Sequence, residues 1–86
     1  MRQNRPVSDS SVFYTETEIH SYLPTGWVLI DGSAEPKRRG SAWAARVLDG
    51  ADTEWSLEVK GVEVDRLGRL AALQREVDRV YREALG

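Results

Sequence analysis

From Glu54 to Lys60 the side chains alternate without a break, with Trp55, Leu57 and Val59 apolar and Glu54, Ser56, Glu58 and Lys60 polar or charged. Successive side chains on a strand point to opposite faces, so this pattern makes a strand with one buried and one wet face. The preceding stretch, Ser41 to Leu48, carries Trp43, Ala45 and Val47 at the same spacing. Residues opposite one another in an antiparallel pair share a face, so the two apolar sets meet only in a register that sets Val47 against Trp55 and Ala45 against Leu57. That register demands an odd connection around Asp49–Asp52, a turn of three or five residues, with Gly50 as the candidate for a bulge.

Past Gly61 the period changes. Leu67, Leu70, Leu73, Val77, Val80, Tyr81 and Ala84 fall on one helical stripe, with Arg75, Glu76, Asp78, Arg79, Arg82 and Glu83 largely opposite. The spacing predicts one amphipathic helix over 65–85, with Asp65 as its N-cap and Gly86 near its end. Gly68, in the first turn, costs such a helix up to about 1 kcal/mol relative to alanine.

Upstream, residues 11–23 are rich in β-branched and aromatic side chains and show no helical stripe, which reads as a long or bent first strand. Pro24-Thr25-Gly26 supplies a turn, and Trp27-Val28-Leu29-Ile30 is apolar at successive positions, as in a central strand covered on both faces. Residues 31–40, with two glycines, a proline and three adjacent cations, read as an exposed loop. The expected fold is therefore α+β: an antiparallel four-stranded meander (11–23, 27–31, 41–48 and 53–60) with one C-terminal helix packed on one face. Residues 1–10, polar and carrying Pro6, are expected to form a flexible arm, and 11–86 a single domain.

At 86 residues the chain supports one small core, and without cysteine it has neither a disulfide nor a thiolate-bound zinc to reinforce it. No apolar run approaches the roughly 20 residues that cross a bilayer, and no signal-peptide pattern opens the chain, so a cytoplasmic protein with no membrane partner is expected. A net charge of −2 gives no global attraction to nucleic acid. The seven serines that follow residue 7 sit in no nucleophile-elbow motif, and the glycines form no phosphate-cradling loop. No catalytic set and no cofactor are expected.

Two local features invite a ligand. Glu16, Glu18 and His20 would share one face of a strand, where two carboxylates and an imidazole suit a metal ion or a shared proton; as ordinary charges on a solvent-facing edge they need no ligand. Lys37, Arg38 and Arg39, with Arg2 and Arg5 on the arm, would contact the phosphates of a single-stranded nucleic acid, although so few cations give little affinity at physiological salt.

The leading expectation comes instead from apolar surplus. Val12, Tyr14, Trp27 and Leu29 would lie on a sheet with two apolar faces, of which one helix covers only one. Either strong twist folds the first strand back over the second face, or another molecule covers it. The reading is a small non-enzymatic association module, self-associating as a homodimer or binding another protein.

Overall fold

The computed structural model describes residues 12–33, 35–36 and 41–86. In chain order these form α1 (Glu16–Tyr22), β1 (Val28–Leu29), β2 (Glu35–Pro36), β3 (Ser41–Leu48), β4 (Glu54–Lys60), α2 (Gly61–Leu67) and α3 (Arg69–Leu85). The α+β class and the antiparallel sheet stand, but the strand and helix lists change.

The β3–β4 hairpin is the centre of the sheet, and its register is the one that alternation demands: Val47 opposes Trp55, Ala45 opposes Leu57 and Trp43 opposes Val59. Asp49 to Thr53 connect the strands. The Asp49 carboxylate organises this turn, accepting from the Ala51 N–H at 2.7 Å, the Thr53 N–H at 2.9 Å and the Trp55 indole at 2.9 Å. The left-handed residue in the turn is Asp52, at φ 63°, in place of the expected bulge at Gly50.

β1 and β2 both pair with β3, and since β4 occupies one edge of β3 both must lie along the other. They are two halves of one interrupted edge strand, so the sheet is three strands wide. Ser33 fills the interruption. Its hydroxyl accepts from the Arg46 N–H at 3.0 Å and lies 3.1 Å from the Arg46 carbonyl, which also takes the Ile30 N–H at 3.0 Å. The run 27–31 is thus an edge rather than a central strand, and Val28, opposite Leu48 on the open face, is 49% exposed. Apolar continuity there arises because Trp27 leaves the ladder to pack edge-on against Tyr81, with ring centroids 5.9 Å apart.

The expected first strand over 11–23 is replaced by α1. Thr15 and Glu18 form a reciprocal capping box, each side chain bonding the other's backbone N–H at 3.0 Å. Two turns place Ile19 in the core, and Pro24 follows shortly after the helix ends.

The single helix expected over 65–85 is two helices. α2 starts directly after β4 at Gly61, with no side-chain cap, so Asp65 lies inside it rather than ahead of it. Gly68, at φ 94° and ψ 160°, ends α2 and opens α3: its N–H bonds Val64 and its carbonyl receives Ala72, so the direction changes without loss of a backbone bond. Such dihedrals are essentially reserved for glycine. α3 packs beneath β4, with α1 beside it and against β1. The core between these helices and the sheet holds Tyr14, Ile19, Trp43, Ala45, Val47, Leu57, Val59, Leu73, Val77 and Val80.

Candidate functional site

The face of the sheet away from the helices carries Ala44, Arg46, Ser56 and Glu58, with Arg46 paired to Glu54 at 3.0 Å and Ser41 donating to Glu58, and has Val28 and Leu48 at one margin. The four apolar residues expected at an interaction surface lie in or against the core, while Phe13, Val28 and Leu85 are exposed. Tyr14 and Trp27 are buried in the core, and Val12 and Leu29 are partly buried against it. α1 adds cover on the same face of the sheet as α3.

Tyr14 also takes part in a clasp that joins the segment before α1 to the start of α3. Its hydroxyl donates to the Arg69 carbonyl at 2.6 Å, and the Arg69 guanidinium lies 5.4 Å from the Tyr14 ring centroid. Arg69 grips both Glu18 carboxylate oxygens, at 2.8 and 2.9 Å, and donates to the Phe13 carbonyl at 2.9 Å. Hydrogen bonding from Arg69, then from the Thr15 backbone, holds the Glu18 carboxyl down at about 2. Burial pushes the Tyr14 hydroxyl up to about 12. These groups satisfy one another, which is the mark of a structural clasp rather than a waiting reaction centre.

The clasp also separates the expected Glu16, Glu18 and His20 triad. On a helix, residues two apart face different directions, so Glu18 turns to Arg69 while Glu16 and His20 are exposed. Among the described residues no cluster of three or more His, Asp or Glu side chains has metal-binding geometry. Lys37, Arg38, Arg39, Arg2 and Arg5 lie outside the described residues.

What stands out is the outer edge of β4, which sequence reasoning did not single out. Because Trp55, Leu57 and Val59 pair with β3 through their backbones, the N–H and C=O groups of Glu54, Ser56 and Glu58 point away from the sheet. The Glu58 N–H is taken by the Glu76 carboxylate at 2.9 Å. Among the described residues the outward N–H groups of Glu54 and Ser56 meet no acceptor.

Along this edge runs a groove of about 640 Å³, walled by Glu58–Lys60, by Glu63 and Leu67 of α2, and by one side of α3. Its charges are mixed. Arg79 grips Glu76 through two nitrogens, at 2.7 and 2.9 Å, and reaches Glu83 at 2.9 Å. That pairing raises the Arg79 pKa above its ordinary value, with the Glu76 hydrogen bond as the largest cause. Arg75 approaches Glu63 at 3.5 Å, yet Glu63 Oε1 is buried with no hydrogen bond among the described residues. The groove thus offers backbone edge groups, aliphatic arginine stems and paired charges of both signs, a surface suited to another peptide chain and holding no nucleophile–base pair.

No described helix is long and apolar enough to cross a membrane. No protein-family model matches the chain, and neither a curated protein nor a solved structure is significantly similar to it.

Proposed function

We propose that this protein is a small non-enzymatic association module that works by adding a strand to the outer edge of β4. The observation that carries the reading is the outward Ser56 N–H, without an acceptor among the described residues, in the middle of a seven-residue edge strand whose Glu58–Lys60 end borders a groove. Natural sheets blunt exposed edges by bulges, prolines, charged side chains, short strands or covering elements, because an edge left open templates pairing with another chain. The opposite edge of this sheet is interrupted between Leu29 and Glu35. The β4 edge runs over seven residues, and the Glu76 carboxylate claims one of its outward N–H groups. In strand addition the main-chain bonds supply affinity while flanking pockets supply selectivity.

Ser56→Pro tests the reading, because it removes an N–H that makes no bond within the β3–β4 ladder and so spares the hairpin. Its folding is checked by its thermal transition. A panel of displayed extended peptides selected on the wild-type protein, together with its sedimentation behaviour, reports edge binding. Loss of both peptide capture and self-association in a folded Ser56→Pro chain is expected; capture or self-association undiminished by this substitution contradicts the reading.

A further inference from the structure

We propose that Asp31–Gly32 is a modification site, at which the folded chain converts spontaneously to an isoaspartyl linkage, while the fold withholds the same reaction from Asp49–Gly50. This goes beyond the edge-association reading above and does not rest on it. An aspartate followed by glycine undergoes the conversion readily, because a glycine amide has no side chain beside it to hinder its approach to the preceding carboxyl group. The sequence carries the pair twice, at 31–32 and at 49–50. Local sequence makes both pairs reactive, and the structure decides between them.

The reaction is redox-neutral and uses water alone. The glycine amide nitrogen attacks the side-chain carboxyl carbon of the aspartate: a C–N bond forms, a C–O bond breaks, and the oxygen leaves as water with the amide proton and the proton of the carboxylic acid. The cyclic imide then takes up water. Opening at the side-chain carbonyl restores aspartate, whereas opening at the main-chain carbonyl breaks the original peptide C–N bond and leaves the chain linked through the side chain, longer by a methylene. The first step needs a carboxyl group free to turn toward the following nitrogen and to accept a proton.

Asp49 meets neither condition. Both of its carboxylate oxygens are held, one by the Ala51 and Thr53 N–H groups at 2.7 and 2.9 Å and the other by the Trp55 indole at 2.9 Å. Donors on both oxygens favour the ionised form, and the Asp49 pKa is lowered, with the Trp55 hydrogen bond as the largest cause. Its backbone is fixed as well, the N–H donating to the Thr53 carbonyl at 2.9 Å and the carbonyl accepting from the Asp52 N–H at 3.0 Å. Asp31 differs on each count. Asp31 and Gly32 are both exposed, in the interruption between β1 and β2, and among the described residues no donor reaches the Asp31 carboxylate. Gly32 stands at φ 75°, where glycine is favoured, so the fold itself keeps the reactive neighbour in place. Asp31 also lies between Ile30, whose N–H bonds the Arg46 carbonyl, and Ser33, whose hydroxyl accepts from the Arg46 N–H. A longer backbone at position 31 moves these two contacts apart, so the modification loosens the edge formed by β1 and β2.

The test is peptide mapping by mass spectrometry on the full chain, incubated at neutral pH both folded and in concentrated urea. In the folded wild type, isoaspartate is expected to accumulate at position 31 about tenfold or more faster than at position 49, because a locked turn reacts only from its opened state. In urea the two rates are expected to converge. Trp55→Phe keeps an aromatic ring against the core but removes the indole donor, and is expected to raise the rate at 49 by about tenfold while leaving the rate at 31 unchanged. Leu73→Ala lowers stability away from both turns and is expected to keep the wild-type ratio. Thermal melting confirms that each variant is folded.

Equal rates at the two pairs in the folded wild type, or a faster rate at 49, overturn the proposal. A difference that persists in urea belongs to the flanking sequence rather than to the fold and overturns it as well. If Trp55→Phe leaves the rate at 49 unchanged, or if Leu73→Ala raises it to the same extent, the carboxylate lock on Asp49 is refuted.

Discussion

Gly68 gives a sharp test of how the C-terminal segment is built, because the two arrangements it chooses between respond oppositely to alanine. Were 65–85 a single helix, Gly68→Ala would stabilise it by up to about 1 kcal/mol, the usual difference between these residues in a helix interior. In the structure Gly68 sits at φ 94° and ψ 160°, between α2 and α3, and a Cβ built there meets nothing within 4 Å. The cost of alanine is then purely local backbone strain, about 1–3 kcal/mol, offset by about 0.4–1 kcal/mol from reduced freedom of the unfolded chain. The net expectation is a loss of about 1–2 kcal/mol, which lowers the thermal midpoint of a domain this size by roughly 4–15 °C.

A chain this short is accessible to chemical ligation, which permits the mirror-image control. D-Alanine at position 68 carries the same extra methyl but adopts positive φ without strain, so the unfolded-state effect remains and the penalty vanishes. The D-alanine protein is expected to melt at or above the wild-type temperature and the L-alanine protein below it, in calorimetry or circular dichroism at equal concentration. Equal midpoints for the two isomers, or an L-alanine protein more stable than wild type, would refute the broken-helix geometry.

Three further outcomes follow from the core and the clasp. Leu73→Ala removes a fully buried α3 side chain and is expected to cost about 2–5 kcal/mol in urea unfolding; a loss below about 1 kcal/mol would contradict the packing described. In an alkaline absorbance titration Tyr14 is expected to ionise near pH 12. Because its folded pKa is raised above the unfolded value of 10.0, its contribution is intact below pH 10 and is lost as pH rises toward about 12, and Tyr14→Phe removes that decline. Glu18 has the opposite sign: its folded pKa is lowered from 4.5 to about 2, so its contribution is present above pH 4.5 and is lost as pH falls through about 2. Glu18→Gln is expected to flatten acid unfolding over that interval, and an unchanged acid profile would show that Arg69 does not hold the carboxylate in solution.

The β3–β4 hairpin was legible because strict alternation leaves one register in which Trp43, Ala45 and Val47 share a face with Trp55, Leu57 and Val59. The body of α3 was legible for the analogous reason, its buried Leu73, Val77 and Val80 recurring at helical spacing. Segment 11–23 misled because β-branched and aromatic side chains dominate it and α1 spans only two turns, too few for a stripe to separate itself from alternation. Two local signals did mark a helix there: the Thr15-x-x-Glu18 capping box and the proline just beyond.

The misreading had consequences further on. Taken as a strand, 11–23 added apolar side chains to both faces of the sheet; folded as α1, it brings Ile19 to the core on the α3 side instead. It also put Glu16, Glu18 and His20 on a common face that a helix does not provide. The β4 edge was hidden for a different reason. Which of two strands is an edge, and whether its amides are claimed, depends on contacts such as Glu76 to Glu58 and Ser33 to Arg46 that join residues far apart in the chain. Side-chain periodicity records burial but not the direction in which a backbone N–H points relative to a distant helix.

The central claim, that the outer edge of β4 is an association surface, is tested most directly at the Ser56 amide itself. Its hydrogen exchange, resolved by NMR, should be fast in dilute protein and progressively protected as concentration rises, while the Leu57 amide, bonded within the hairpin, stays protected throughout. A Ser56 amide that exchanges at the same fast rate in dilute and concentrated protein, with or without captured peptide, would contradict the account.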